Sequence, residues 1–151
     1  RERTEVPIIA AGGICDGATM AAAFAMGAEG VQLGTAMLSC TDSPVHPNWK
    51  NAIYQGKETD TVFLNQQGRP ALRAMRTERT GELELLGQFQ PFEHMANILD
   101  LYFGGDLEAA IPLTGQVMGR IQEARSAADI VTSTMTGFYQ SLSRLDASYG
   151  Q

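Results

Sequence analysis

The sequence predicts an α/β protein with parallel strands in its N-terminal third and a mainly helical remainder, and three observations predict it. Two short apolar runs, Val6-Pro-Ile-Ile-Ala-Ala11 and Gly30-Val-Gln-Leu-Gly34, flank one Ala- and Met-rich stretch. Strand, helix, strand in that order is the sequence form of a βαβ unit. Each run ends at glycine, Gly12-Gly13 in the first and Gly34-Thr35 in the second. From Gly81 onward, apolar residues recur at three- and four-residue spacing with few β-branched runs, the period of helices.

Taken in order, Val6 to Ala11 shows no polar alternation, which suits a strand buried on both faces. Ala18 to Met26 consists of strong helix formers, and Gly27 stands where a helix C-cap glycine belongs. After the second strand comes the turn-rich stretch Thr41-Asp-Ser-Pro-Val-His-Pro47, and Pro47 opens a helix running through Trp49 and Ile53 to Gly56. The polar run Lys57-Glu-Thr-Asp-Thr61 marks a boundary, so the chain divides into residues 1–58 and 59–151. Thr61-Val-Phe-Leu64 reads as a brief extended segment, followed by helices over Pro70–Arg79, Phe92–Tyr102, Asp106–Glu123 and Ser126–Leu145. Gly104-Gly105-Asp106 reads as a helix stop and restart, with Asp106 and Ser126 as N-caps.

Composition narrows the function. An apolar share of 44% with 19% charged residues is ordinary for a globular chain, and no apolar run approaches the roughly 18 residues of a membrane span. Net charge is −6, and the arginines are scattered apart from Arg69, Arg73, Arg76 and Arg79, so no broad basic face is offered to nucleic acid. Those four arginines, on a helix, would make either a cationic stripe near a pocket mouth or a solvated face. Cys15 and Cys40 form no CxxC pair, which fits a reducing, cytoplasmic compartment. No metal-ligand spacing occurs. The chain opens on Arg1 with neither an initiator methionine nor a signal-like core, and reads as an internal start.

The chemistry points to the glycines. Two glycine-bearing strand ends separated by a single helix emerge side by side at one edge of a parallel sheet. A phosphate fits between them, because glycine lets backbone N–H groups approach an anion with no β-carbon in the way. The plainer reading is that these glycines only make tight turns. His46, between two prolines in a turn-to-helix segment, reads as a cap or packing residue, and His94 beside Met95 as structural.

The run Pro7-Ile-Ile-Ala-Ala-Gly-Gly-Ile-Cys-Asp-Gly-Ala-Thr-Met, continuing through Gly30-Val-Gln-Leu-Gly-Thr-Ala-Met-Leu38, resembles the nitronate monooxygenase family. It is also similar to the flavin-dependent enoyl-acyl-carrier-protein reductase II family. Ser43-Pro-Val-His46-Pro47 and Thr114-Gly115-Gln116 fit the same pattern. The resemblance implies the C-terminal part of an FMN-binding TIM (β/α)8 barrel. Residues 1–58 would be its last two βα units, and 59–151 a mainly helical C-terminal or lid segment. At 151 residues the chain is short of the roughly 250 of a closed barrel. By resemblance, Gly12, Gly13, Gly34 and Thr35 hold the FMN phosphate, and Gln32 and Leu33 line the same pocket. The implied activity is oxidation of a nitronate with O2. Two alternatives stay open: an NAD(P)H-dependent flavin reductase acting on an enoyl thioester or quinone, and a non-catalytic phosphate-binding or interaction fragment. The implied histidine base belongs to an earlier strand, so no catalytic residue is assigned in this chain. The expected partners are a small-molecule substrate and, as a homodimer, a second copy.

Overall fold

The computed structural model describes residues 4–150, and Arg1, the expected internal start, lies outside them. The element order is β1 (Ile9–Ala11), α1 (Gly17–Ala25), β2 (Gly30–Gln32), α2 (Thr35–Leu38), α3 (Pro47–Gln55), β3 (Thr61–Leu64), β4 (Leu72–Met75), α4 (Glu78–Leu86) and α5 (Ala127–Tyr149). Strands β1 and β2 pair in parallel, with Ile9 opposite Gly30 and Ala11 opposite Gln32, and α1 is their crossover.

Local chemistry sets the ends of α1. The Asp16 carboxylate accepts the Thr19 backbone N–H at 2.8 Å while the Asp16 N–H donates to the Thr19 hydroxyl at 3.2 Å, a reciprocal capping box. Gly27 follows at φ +97°, in the left-handed region that favours glycine. Only three residues of the first apolar run pair as strand, and β1 is not buried on both faces as expected. Ile9 is 59% exposed, because β2 is the one strand that pairs with it among the described residues.

The C-terminal helix returns to the first unit. Ser126 caps α5 by accepting the Asp129 N–H at 3.0 Å, and Ile130, Thr134 and Phe138 form its buried stripe. Phe138 meets Phe24 of α1 edge-on with ring centroids 5.1 Å apart, above a core of Ile14, Met20 and Ala21. The two sequence segments therefore share a core. A second core holds Trp49, Ile53, Leu101 and Met118, all essentially solvent-free.

Three helices read from periodicity are not continuous helices. Over Pro70–Arg79 the chain forms β4, antiparallel to β3 with Thr61 opposite Met75 and Leu64 opposite Leu72. The hairpin loop begins at Asn65, buried at φ +56°, whose side chain accepts the Phe89 N–H at 3.0 Å and donates to the Pro70 carbonyl at 2.9 Å. Asparagine tolerates that conformation. Phe92–Tyr102 resolves into a 3-10 turn at Pro91–Met95 and a π turn at Asp100–Gly104, which Gly105 ends at φ +75°. Asp106–Glu123 is irregular except for a 3-10 turn at Gln116–Arg120. Asp106 makes a local turn, accepting the Glu108 N–H at 2.9 Å, and starts no helix. Sheet pairing displaces helix there: Met75 N–H donates to the Pro112 carbonyl at 2.9 Å, and Thr114 N–H to the Arg73 carbonyl at 3.2 Å. Proline at 112 also has no N–H for a helix interior. Among the described residues no helix is long and apolar enough to cross a membrane.

Candidate functional site

Past the C-terminal ends of β1 and β2 the backbone opens into a cavity of about 580 Å³. Gly12 and Gly13 turn out of β1 at φ +96° and +74°, conformations that L side chains rarely adopt. Gly34 follows β2 at φ −93°. A β-carbon added at any of the three would meet no atom within 4 Å, so all three backbones face open space. Gln32 and Thr35 line the same cavity. Five of the six residues expected at a phosphate site are thus brought together.

Leu33 is the exception. It does not line the cavity; its side chain packs against both the Ile14–Met20–Phe138 and the Ala36–Cys40–Ile130 clusters. Alternation along an extended segment explains this, since Gln32 and Leu33 point to opposite faces.

The far wall comes from distant sequence. Gly115 donates its N–H to the Thr35 hydroxyl at 2.9 Å, and Thr114 accepts the Trp49 indole N–H at 3.3 Å while donating to the Pro112 carbonyl at 3.1 Å. Tyr102, Leu113 and Arg73 also line the cavity. Thr114-Gly115 carries a sequence signal, but Tyr102 and Leu113 carry none, being indistinguishable from ordinary core or surface residues. Thr35 is 8% exposed, and its oxygen receives the Gly115 N–H. Among the described residues its hydroxyl donates to no protein acceptor, which leaves the proton for a group in the cavity.

Helix termini contribute less positive potential than the glycine turns suggest. The first turn of α1 is already engaged by the Asp16 carboxylate, and α2 is a single turn. Burial alone would raise the Asp16 pKa. Hydrogen bonds from the Thr19 N–H and hydroxyl, with the Arg120 guanidinium and the Ala18 N–H, outweigh it and hold the carboxyl below its ordinary value. Burial and the Asp16 charge push the Cys15 thiol up.

The four arginines do not share a helix face. Arg69 lies in the hairpin loop, Arg73 on β4, Arg76 pairs with Glu84 at 3.2 Å, and Arg79 in α4 donates to the Glu108 carbonyl at 3.1 Å. Only Arg73 reaches the cavity. His46 is the N-cap of α3, its Nδ1 accepting the Asn48 N–H at 3.1 Å, and His94 packs edge-on to Phe89 at 5.2 Å. Among the described residues no group of three or more His, Cys, Asp or Glu side chains gathers as a metal site.

The sequence model of a family described as nitronate monooxygenase matches residues 1–137. A protein described as a probable nitronate monooxygenase from Staphylococcus saprophyticus is 48% identical over 71 residues, 46% of this chain and 20% of that protein. One of the same description from Staphylococcus aureus strain Newman is 53% identical over 58 residues, 38% of this chain and 16% of that protein. FabK from Thermotoga maritima superposes with a TM-score of 0.87 at 31% identity, over 97% of this chain and 49% of FabK. A nitroalkane oxidase from Streptomyces ansochromogenes shares the fold, with a TM-score of 0.80 at 23% identity over 96% of this chain and 43% of that one. The chain thus spans about half the length of its structural relatives and a smaller part of the curated ones.

Proposed function

Because the chain belongs to the nitronate monooxygenase family, we propose that it supplies the FMN-phosphate end of the active site in a flavin-dependent oxidoreductase that oxidises small nitronates with O2. One observation carries this reading: Gly12, Gly13, Gly34 and Thr35 converge from two adjacent parallel strand ends on one open cavity. In that reading the βαβ unit is the last pair of βα units of a TIM barrel, where such phosphate sites are built. Residues 59–151 are the segment that walls the site.

The residues fit a flavin phosphate. A β-carbon at any of the three glycines would project into open space beside the cavity, and closely approaching amides with one hydroxyl donor suit a tetrahedral oxyanion. FMN, when bound, supplies the electron-transfer chemistry. This chain's residues would bind and orient it: the glycine amides would hold the phosphate, the Thr35 hydroxyl would donate to it, and Gln32 lines the cavity at the strand end. His46 serves α3 instead, its Nδ1 accepting the Asn48 N–H at the helix N-cap.

A second reading, an NAD(P)H-dependent flavin reductase of the enoyl-acyl-carrier-protein reductase II type, is favoured by the likeness to FabK over nearly the whole chain. Substrate oxidation assays on the complete polypeptide separate the two: nitronate-dependent O2 uptake supports the first, and NAD(P)H oxidation with an enoyl thioester supports the second. The phosphate site is tested by Gly34→Ala. Its φ suits alanine and its surroundings are open, so folding is expected to be unaffected while FMN affinity falls about tenfold or more. Unchanged flavin fluorescence quenching in that variant would remove the site assignment.

A further inference from the structure

Among the described residues that line the cavity behind the glycine turns, one side chain is charged, that of Arg73. It sits on β4 directly opposite Phe63. Its Nη1 donates to the Thr61 hydroxyl at 3.1 Å, and the guanidinium carbon stands 5.2 Å from the Phe63 ring centroid. Those contacts orient the group without neutralising it. Arg76 and Arg120 pair with Glu84 and Asp16; Arg73 has no carboxylate partner among the described residues, in a chain of net charge −6.

A guanidinium carries five N–H donors, and here one is engaged by a side chain. The half-buried guanidinium therefore keeps donors available to an anion in the cavity, and charge-assisted bonds of that kind are among the stronger ones. A phosphate monoester carries about −1.5 to −2 charge near neutral pH. The glycine amides and the Thr35 hydroxyl offer dipoles but no net charge, and the α1 terminus is already engaged by Asp16. Among the described residues that line the cavity, Arg73 alone carries a full positive charge.

We propose that Arg73 is the counter-charge for the flavin phosphate, the residue that makes this site select the phosphorylated flavin over riboflavin. The proposal rests on the assignment of the glycine turns as a phosphate site. Its test is titration of FMN and of riboflavin into the complete polypeptide, followed by flavin fluorescence, for the parent and for Arg73→Gln and Arg73→Lys at low and moderate salt.

The expected result is a parent that prefers FMN to riboflavin. Arg73→Gln should lose about ten- to a hundredfold in FMN affinity, with riboflavin affinity unchanged and a flatter salt response. Arg73→Lys should recover part of the loss, since the charge returns without the planar fork. A parent that does not distinguish FMN from riboflavin overturns the phosphate reading and this proposal with it. A parent that prefers FMN and an Arg73→Gln variant that keeps the whole preference overturn the Arg73 role alone. Equal loss for both flavins also overturns it, since that marks a residue that only supports the fold of the hairpin.

Discussion

The Gly115 backbone N–H donates to the Thr35 hydroxyl at 2.9 Å, tying the segment after β4 to the second glycine turn across 80 positions of sequence. In the proposed site Thr35 would have two tasks, its oxygen accepting from Gly115 and its proton donated to the flavin phosphate. Thr35→Val keeps the shape and removes both functions, leaving the Gly115 N–H without its partner. Urea denaturation should show a loss of about 1–3 kcal/mol, and flavin affinity should fall as well. Thr35→Ser should restore both. Full stability in Thr35→Val would show that the bond does not hold the far wall in place.

Much of the first third is legible in the sequence because its signals are local. Asp16 and Thr19 form a capping box three residues apart, Gly27 ends the helix, and Pro47 starts the next. The glycine pair and Gly34-Thr35 are likewise visible as turns at two strand ends, since glycine punctuates a chain locally. The chain beyond β3 is less legible. Ala71-Leu-Arg-Ala-Met75 has helix-favouring composition, yet pairing with Thr61–Leu64 and with Pro112 makes it a strand. Asn65 and Gly68 before Pro70 are the turn signal that a sequence reading has to work with. Arg73 reaches the cavity because it is on that strand, so reading the segment as helix also hides the charged side chain that lines it.

His46 should behave as a cap. It occupies the N-cap of α3, and its Nδ1 accepts from Asn48. Replacement by alanine is expected to cost about 0.5–2 kcal/mol in chemical denaturation, and replacement by asparagine, another good cap, should recover most of it. Equal losses in the two variants would mean that packing against Gly105, where an added β-carbon would lie 2.1 Å from the His46 ring, matters more than the cap.

Acid should loosen the start of α1. The Asp16 carboxyl is held below its ordinary value in the folded chain, so the ionised form is favoured by folding. Its contribution is present above the unfolded pKa, about 3.9, and fades as pH falls from there through the lower folded value. Asp16→Asn keeps a capping oxygen but loses the charge facing Arg120. Thermal denaturation of the variant should show a weaker dependence on pH in that acidic window than the parent. Parallel curves would place the parent's acid sensitivity elsewhere.

The sharpest stability contrast lies where α1 crosses α5. A β-carbon on Gly17 would fall 2.1 Å from the Gly137 carbonyl carbon and the Phe138 nitrogen, both backbone atoms that cannot rotate away. A β-carbon on Gly137 would instead meet Gly17 Cα at 3.5 Å, an ordinary contact. The asymmetry arises because Gly17 points at the facing helix backbone while Gly137 points past it. Gly17→Ala must push the helices apart and disturb the Phe24–Phe138 contact, with an expected loss of about 1–3 kcal/mol or more. Gly137→Ala should be neutral or stabilising by up to about 1 kcal/mol, since alanine favours the interior of α5. Equal effects in urea denaturation would mean that the two helices do not approach at this point, and α5 would then have to reach the first βα unit along a different line.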